Sequence, residues 1–164
     1  MKLVSVVTAC YNEQDNVEEL HRRVRKVFAA LPQYEFEHIF IDNASTDATP
    51  QILRRLAVAH PNVKVILNAR NFGHIRSPFH ALLQAKGDAV ISLVADLQDP
   101  PDMIVDFLKK WEEGFKIVVG VKRSSAESGL MFWARGLYYR LISRLSDVQQ
   151  IRNFTGFGLY DKRV

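Results

Sequence analysis

The sequence predicts an α/β fold, a three-layer sandwich with a mostly parallel central sheet. Three observations carry that prediction. Short apolar runs rich in β-branched residues alternate with segments of helical period, the pattern of strands joined by crossover helices. At 164 residues, the chain has the length of one domain, enough to bury about two-thirds of its unfolded surface in a single core. Polar clusters also recur just after the strand-like runs, where parallel sheets bind their ligands.

Residues 3–8 form a continuous β-branched run (Leu3, Val4, Val6, Val7, Thr8), which reads as a strand buried on both faces. Asp15 or Asn16 then caps a helix whose apolar positions, Val17, Leu20, Val24, Val27, Phe28 and Leu31, make one stripe, with Pro32 past its end. Residues 38–42 are a second strand, and residues 49–60 a second helix with Ile52, Leu53 and Leu56 inward. A third strand follows at 63–67, a short helix near 79–85 and a fourth strand at 89–94. Pro100 and Pro101 introduce a helix with Ile104, Phe107, Leu108 and Trp111 on one face, and residues 116–121 are a fifth strand. Right-handed crossovers make such a sheet largely parallel.

Composition narrows the class. With 48% hydrophobic and 24% charged residues, the chain reads as an ordinary globular protein. No run approaches the roughly 18 apolar residues of a membrane span. The single cysteine, Cys10, excludes an intrachain disulfide and a zinc site built on cysteines. The opening MKLVSVV runs straight into a strand without a signal-peptide layout, so a cytoplasmic setting is expected. The net charge of +4 is concentrated: from Lys109 onward there are eleven basic and five acidic residues. That basic third suits phosphate or an anionic membrane surface, and no aromatic-basic motif suggests nucleic acid.

The chemistry stands at the strand ends. Ala9-Cys10-Tyr11-Asn12-Glu13 follows the first strand, Asp42-Asn43-Ala44-Ser45-Thr46-Asp47 the second, and Val94-Ala95-Asp96-Leu97-Gln98-Asp99 the fourth. Taken singly, Asp42 and Asp47 also read as turn and cap residues, and Asp99 as the cap of the proline-started helix. Three such clusters on one sheet edge point to a shared crevice. No GxGxxG or GxxxxGK[ST] loop is present, so a phosphate-bearing ligand would lean on a metal, and Asp96 with Gln98 supplies oxygen ligands of the kind hard cations take.

The segments VVTACYNEQDNV, FIDNASTDAT, NARNFGH and VADLQDPP, in that order and spacing, resemble glycosyltransferase family 2. The similarity is greatest to its dolichyl-phosphate mannose synthase and bactoprenol glucosyltransferase branch. The resemblance runs from residue 3 to the end and is most specific over the first hundred or so residues. It implies a GT-A fold and an inverting transfer of sugar from a nucleotide-sugar donor, UDP-sugar by preference, with Mg²⁺ or Mn²⁺ as cofactor. It places Tyr11 and Glu13 beside the nucleoside, Asp42 on the base, and Asp96 and Gln98 at the metal and diphosphate. Asp96 is then the catalytic carboxylate, and Arg123 matches an arginine of the polyprenyl-phosphate branch.

Three departures stand out. Ala9 replaces a usual proline, Val94 replaces the first aspartate of the metal motif, and Gly156-Phe157-Gly158 stands where relatives read Asp-Phe-Arg. The loss at Val94 leaves three readings open: metal held by Asp96, Gln98, diphosphate and water; weaker metal binding; or a nucleotide-sugar-binding module without turnover.

A polyprenyl phosphate acceptor arrives ionised and needs no strong base, whereas a saccharide hydroxyl in polysaccharide or lipopolysaccharide assembly does. Beyond Asp96 and Asp99, only the distant Asp147 and Asp161 suggest themselves as bases, so the phosphate acceptor is expected. Lys122 and Arg123 are its candidate anchors. Leu130, Trp133, Leu137, Tyr138, Leu141, Ile142 and Leu145 form an apolar helical face bordered by Arg135, Arg140 and Arg144. That face suits either a membrane interface or a core-packing helix with solvated arginines. The branch implies a single catalytic domain over 1–164, cut short before C-terminal membrane helices. It would work at the cytoplasmic face of the membrane in cell-envelope assembly, with a homo-oligomer compatible.

Overall fold

A computed structural model describes residues 1–121 and 154–164 of the chain. The chain divides into two compact units, Met1–Val119 with Gly156–Val164, and Gly120–Thr155. The account below concerns the first.

Among the described residues the strands are β1 (Lys2–Cys10), β2 (Tyr34–Asp42), β3 (Val63–Leu67), β4 (Ala89–Ser92), β5 (Ile117–Val121) and β6 (Phe154–Asp161). The helices are α1 (Val17–Ala29), α2 (Thr49–Ala59), α3 (Gly73–Leu82) and α4 (Ile104–Glu112), the last entered through a 3-10 turn at Pro101–Met103. The strand order is β3-β2-β1-β4-β6-β5. β1 pairs in parallel with β2 and β4, and β2 with β3. The expected mostly parallel sheet is present.

The sheet has helices on both faces. On one, Val4, Val6, Phe40 and Ile91 pack with Leu20, Val24 and Phe28 of α1, Leu53 of α2 and Leu108 of α4. On the other, Val7, Ile39 and Ile41 pack against Ala81 of α3. Val6 and Val7, or Phe40 and Ile41, point to opposite faces because successive strand residues alternate. Near-continuous apolar runs are what two buried faces demand.

β2 begins four residues before the expected 38 and β4 ends at Ser92 rather than 94, and two further elements differ more widely. The segment 154–161 is a strand, β6, although Gly156 and Gly158 weaken its strand signal. It runs antiparallel to β4, with Ser92 opposite Gly158 and Ala89 opposite Asp161. A Cβ on Gly158 would lie 3.0 Å from the Val118 carbonyl oxygen and 3.2 Å from Val119 Cγ1, so close approach of β5 selects glycine. Helix α3 starts at Gly73, six residues earlier than expected, and carries Pro78 inside it. Pro78 lacks the N–H that a helix interior normally uses. Asn16 does hold the cap position of α1, but its side chain makes no capping bond and donates instead to Glu13 Oε2 at 2.7 Å.

A buried polar chain lies beneath α1. Thr8 Oγ1 is 3.0 Å from His38 Nε2. His38 Nδ1 in turn lies 3.0 Å from His21 Nδ1. His38 stacks on Phe40, and the His21 ring lies beside His60. His21 Nε2 is buried without a hydrogen-bond partner.

Among the described residues, no helix is long and apolar enough to cross a membrane.

Candidate functional site

The register brings the strand ends together. Cys10 lies opposite Asp42, and Asp42 opposite Leu67. Leu93, just past β4, donates its N–H to the Val7 carbonyl at 2.9 Å. The loops after β1, β2 and β4 therefore leave from one edge, as ligand-binding edges of parallel sheets do.

The first two loops are tied to each other. Asn12 N–H donates to Ser45 Oγ at 2.8 Å, and Glu13 N–H to Thr49 Oγ1 at 2.8 Å. In return, Thr46 N–H donates to Asn12 Oδ1 at 2.8 Å, and Ala48 N–H to Gln14 Oε1 at 3.0 Å. Asp47 accepts from the N–H groups of Thr49 and Gln14, a turn role, because the cap position of α2 belongs to Ala48. Burial works against the ionised Asp47, yet these bonds outweigh it and lower its pKa.

Each of the three loops also holds a non-glycine residue in the left-handed region: Asn12 at φ 57°, Ala44 at 63° and Leu97 at 59°. Such residues cost of order 1–3 kcal/mol each and gather at binding sites.

Asn43 organises the third side. Its Nδ2 donates to Asn71 Oδ1 at 2.9 Å and to the Gly73 carbonyl at 3.3 Å. Its Oδ1 accepts from Phe72 N–H at 2.9 Å and Asn68 Nδ2 at 3.2 Å. The NARNFGH segment is thus a loop locked onto β2, and it delivers the first turn of α3 to the crevice.

Between these loops lies an open cleft of ≈ 460 Å³. Tyr11, Glu13 and Asp96, all expected at the site, line it, together with Cys10, Asn43, Asn71, His74 and Val94. His74 belongs to the first turn of α3. Asn43, Asn68 and Asn71 lie in segments the sequence singles out, but their role as supports of the loop was not among the expectations. The signal was the density of asparagines after β2 and β3, since asparagine tolerates turns and bonds backbone groups.

Asp42 is buried behind the lining. Its Oδ2 accepts from Ser45 N–H at 3.1 Å, the turn role, while its Oδ1 is buried without a partner. Gln98 is exposed and is not among the lining residues; its N–H donates to Asp96 Oδ1 at 3.0 Å. Cys10, 2% exposed, donates weakly to the Thr8 carbonyl. Burial pushes its thiol pKa well up, with the charges of Asp42, Glu13 and Asp47 adding.

Asp161 does not approach the cleft. It pairs with Ala89, at the start of β4, and is held by Trp111, Lys116 and Arg163. Arg123, Lys122, Asp147 and the arginine-bordered helix at 130–145 lie outside the described residues. Among the described residues, no three His, Cys, Asp or Glu side chains gather into a metal-binding group.

The chain is a member of glycosyl transferase family 2, whose profile matches residues 5–163. A bactoprenol glucosyl transferase of Shigella phage SfV is 35% identical over 163 residues, 98% of this chain and 52% of that protein. The uncharacterized glycosyltransferase YkcC of Bacillus subtilis (strain 168) is 32% identical over 161 residues, 98% of this chain and 50% of that protein. The chain spans about half the length of the curated relatives it matches.

Solved structures establish the fold as GT-A. The mannosyltransferase PcManGT from Pyrobaculum calidifontis, in complex with GDP-Man and Mn²⁺, superposes with a TM-score of 0.66 at 23% identity, covering 98% of this chain and 44% of that one. Glucosyl-3-phosphoglycerate synthase from Mycobacterium tuberculosis, with Mn²⁺, UDP and phosphoglyceric acid, gives 0.66 at 23% identity, covering 99% and 56%.

Proposed function

We propose that the chain carries the donor site of an inverting glycosyltransferase that moves a sugar from a nucleoside diphosphate, UDP by preference, to a polyprenyl phosphate at a membrane surface. The observation that carries the donor reading is the unpartnered, buried Oδ1 of Asp42 beside a cleft built from three strand-end loops. An acceptor atom without a donor costs about 1–3 kcal/mol, and a base N–H relieves it. Tyr11 offers a half-exposed ring against which a nucleoside can lie.

Asp96 fits a divalent cation as a single hard-oxygen ligand on the cleft wall, with the donor's diphosphate and water completing the shell, as Mg²⁺ accepts. Gln98, expected from the sequence as a second ligand, lies outside the cleft lining, and Val94 supplies no oxygen there. A bound cation supplies charge neutralisation for the departing diphosphate.

In the transfer, an acceptor phosphate oxygen forms the new bond to the anomeric carbon. The bond from that carbon to the diphosphate breaks, and the nucleoside diphosphate leaves with the electron pair. The acceptor arrives ionised and asks for no base, which suits a cleft whose described acids are Glu13 and Asp96. Arg123 is the proposed phosphate anchor, and the bactoprenol glucosyl transferase relative supports a lipid acceptor.

Isothermal titration with UDP, GDP and their sugars, with and without Mg²⁺ or Mn²⁺, tests the site. Metal should strengthen binding in the parent and have no effect in Asp96→Ala. Asp42→Ala should weaken binding whether or not metal is present. Equal affinity in the parent with and without metal, or no change in Asp42→Ala, would reject the assignment.

A further inference from the structure

Helix α3 has two faces of unlike character. Ser77 and Ala81 are buried against the sheet, small residues that let the helix sit close. On the outer side Phe72, Ile75, Phe79 and Leu83 follow at helical spacing, and they are 41%, 70%, 59% and 65% exposed. A single exposed apolar residue needs no explanation, but four in one stripe do.

The sequence around the stripe carries charge of one sign. From residue 48 to residue 87 the sequence contains no aspartate or glutamate, whereas Arg70, Arg76 and Lys86 flank the stripe. Arg70 lies 4.7 Å over the Phe72 ring, holding a cation at the stripe's edge. Beside it a small cavity of ≈ 330 Å³ is lined by Asn68, Phe72, Arg76, Ser77 and His80. An apolar helical face with arginines at its border is complementary to an anionic bilayer: the ring and alkyl groups enter the interface while the guanidinium groups meet headgroup phosphates.

We infer that the outer face of α3 (Phe72, Ile75, Phe79 and Leu83, bordered by Arg70 and Arg76) docks on an anionic lipid surface. The placement has a consequence for the cleft. Gly73, His74, Ser77 and Pro78 of the same helix line it, so the bilayer and the donor site are separated by about one helix diameter, roughly 10 Å. This deepens the lipid-acceptor reading. It is tested through lipid binding rather than transfer, so failure of either is told apart from failure of the other.

The test is co-sedimentation of the 164-residue chain with phosphatidylcholine vesicles, with and without phosphatidylglycerol, at low and high salt. Binding should require phosphatidylglycerol and weaken as salt rises. Ile75→Glu with Phe79→Glu, and separately Arg76→Glu, should each lower vesicle affinity by roughly tenfold or more. Nucleoside diphosphate affinity should be unchanged in these variants, which also shows that they are folded. Vesicle binding unaltered by both variants would overturn the inference. So would a dimer in sedimentation equilibrium that Phe79→Glu dissociates while vesicles are ignored, since the stripe would then cover a second copy.

Discussion

Mild acid should loosen this fold through its buried histidines. Burial chiefly, with the charges of His60 and Arg25, lowers the pKa of His21 from 6.5 to about 4. Burial also holds His38 well below the usual imidazole value, with His21 adding. The geometry agrees: an Nδ1-to-Nδ1 contact of 3.0 Å needs one ring to donate and the other to accept. Two imidazolium rings would face each other as donors. The sign follows from proton counting. Below about pH 6.5 the unfolded chain binds protons that the folded chain refuses, so stability is full above that value and declines as pH falls.

Each refused proton is worth roughly 1.4 kcal/mol per pH unit. Over the window from about pH 6.5 to about pH 4.5, His21 alone then removes at most about 2.5 kcal/mol. Carboxylates whose pKa is lowered, such as Glu37 and Asp161, add their own loss only as pH falls below their unfolded values near 4. The assay is urea unfolding at successive pH values through the window. In His21→Asn, which keeps a polar atom near the Nδ1 position, the decline should be shallower by about one proton's worth. A flat parent profile from about pH 6.5 to 5 would refute the argument.

Asn43→Ala should cost about 2–4 kcal/mol in chemical denaturation, because Phe72 N–H and the Asn68 and Asn71 amides lose partners together. Ala44→Gly should be neutral or gain up to about 1 kcal/mol in thermal melts, since Ala44 sits at φ 63°, whereas Ala44→Val should cost more than that. Val94→Asp restores a carboxylate on the cleft wall and should raise Mn²⁺-dependent nucleotide affinity in titration; an unchanged metal response would place the cation elsewhere. Cys10 should resist a thiol reagent near neutral pH in the folded protein and react promptly once urea is added, as followed by absorbance.

Much of the fold could be read because its signals are local. The β-branched runs of β1 and β2 and the stripes of α1 and α4 each fit one period only. The strand-end clusters carry Tyr11, Glu13 and Asp96, which line the cleft. What escaped was set by distant partners. β6 carries two glycines, and its strand character comes from β4 on one side and β5 on the other. The start of α3 was hidden by Pro78, because the asparagine-locked loop that fixes Gly73 is assembled from Asn43 and Asn71, far apart in sequence. Asp42 reads equally as a turn residue and as a ligand contact; one of its oxygens accepts from the turn and the other has no partner in the protein.

The position of β6 also bears on how the chain is made. β4 holds Ala89 and Ile91 fully buried, and half of its pairing comes from Gly158–Asp161. During synthesis β1, β2, β3 and β4 leave the ribosome first, with the outer edge of β4 unpaired. At about 5–20 residues per second that edge stays open for several seconds at least. An apolar strand edge waiting that long is a template for pairing with other nascent chains. Slow codons between residues 92 and 158 should therefore lower the yield of folded protein without altering the stability of what does fold.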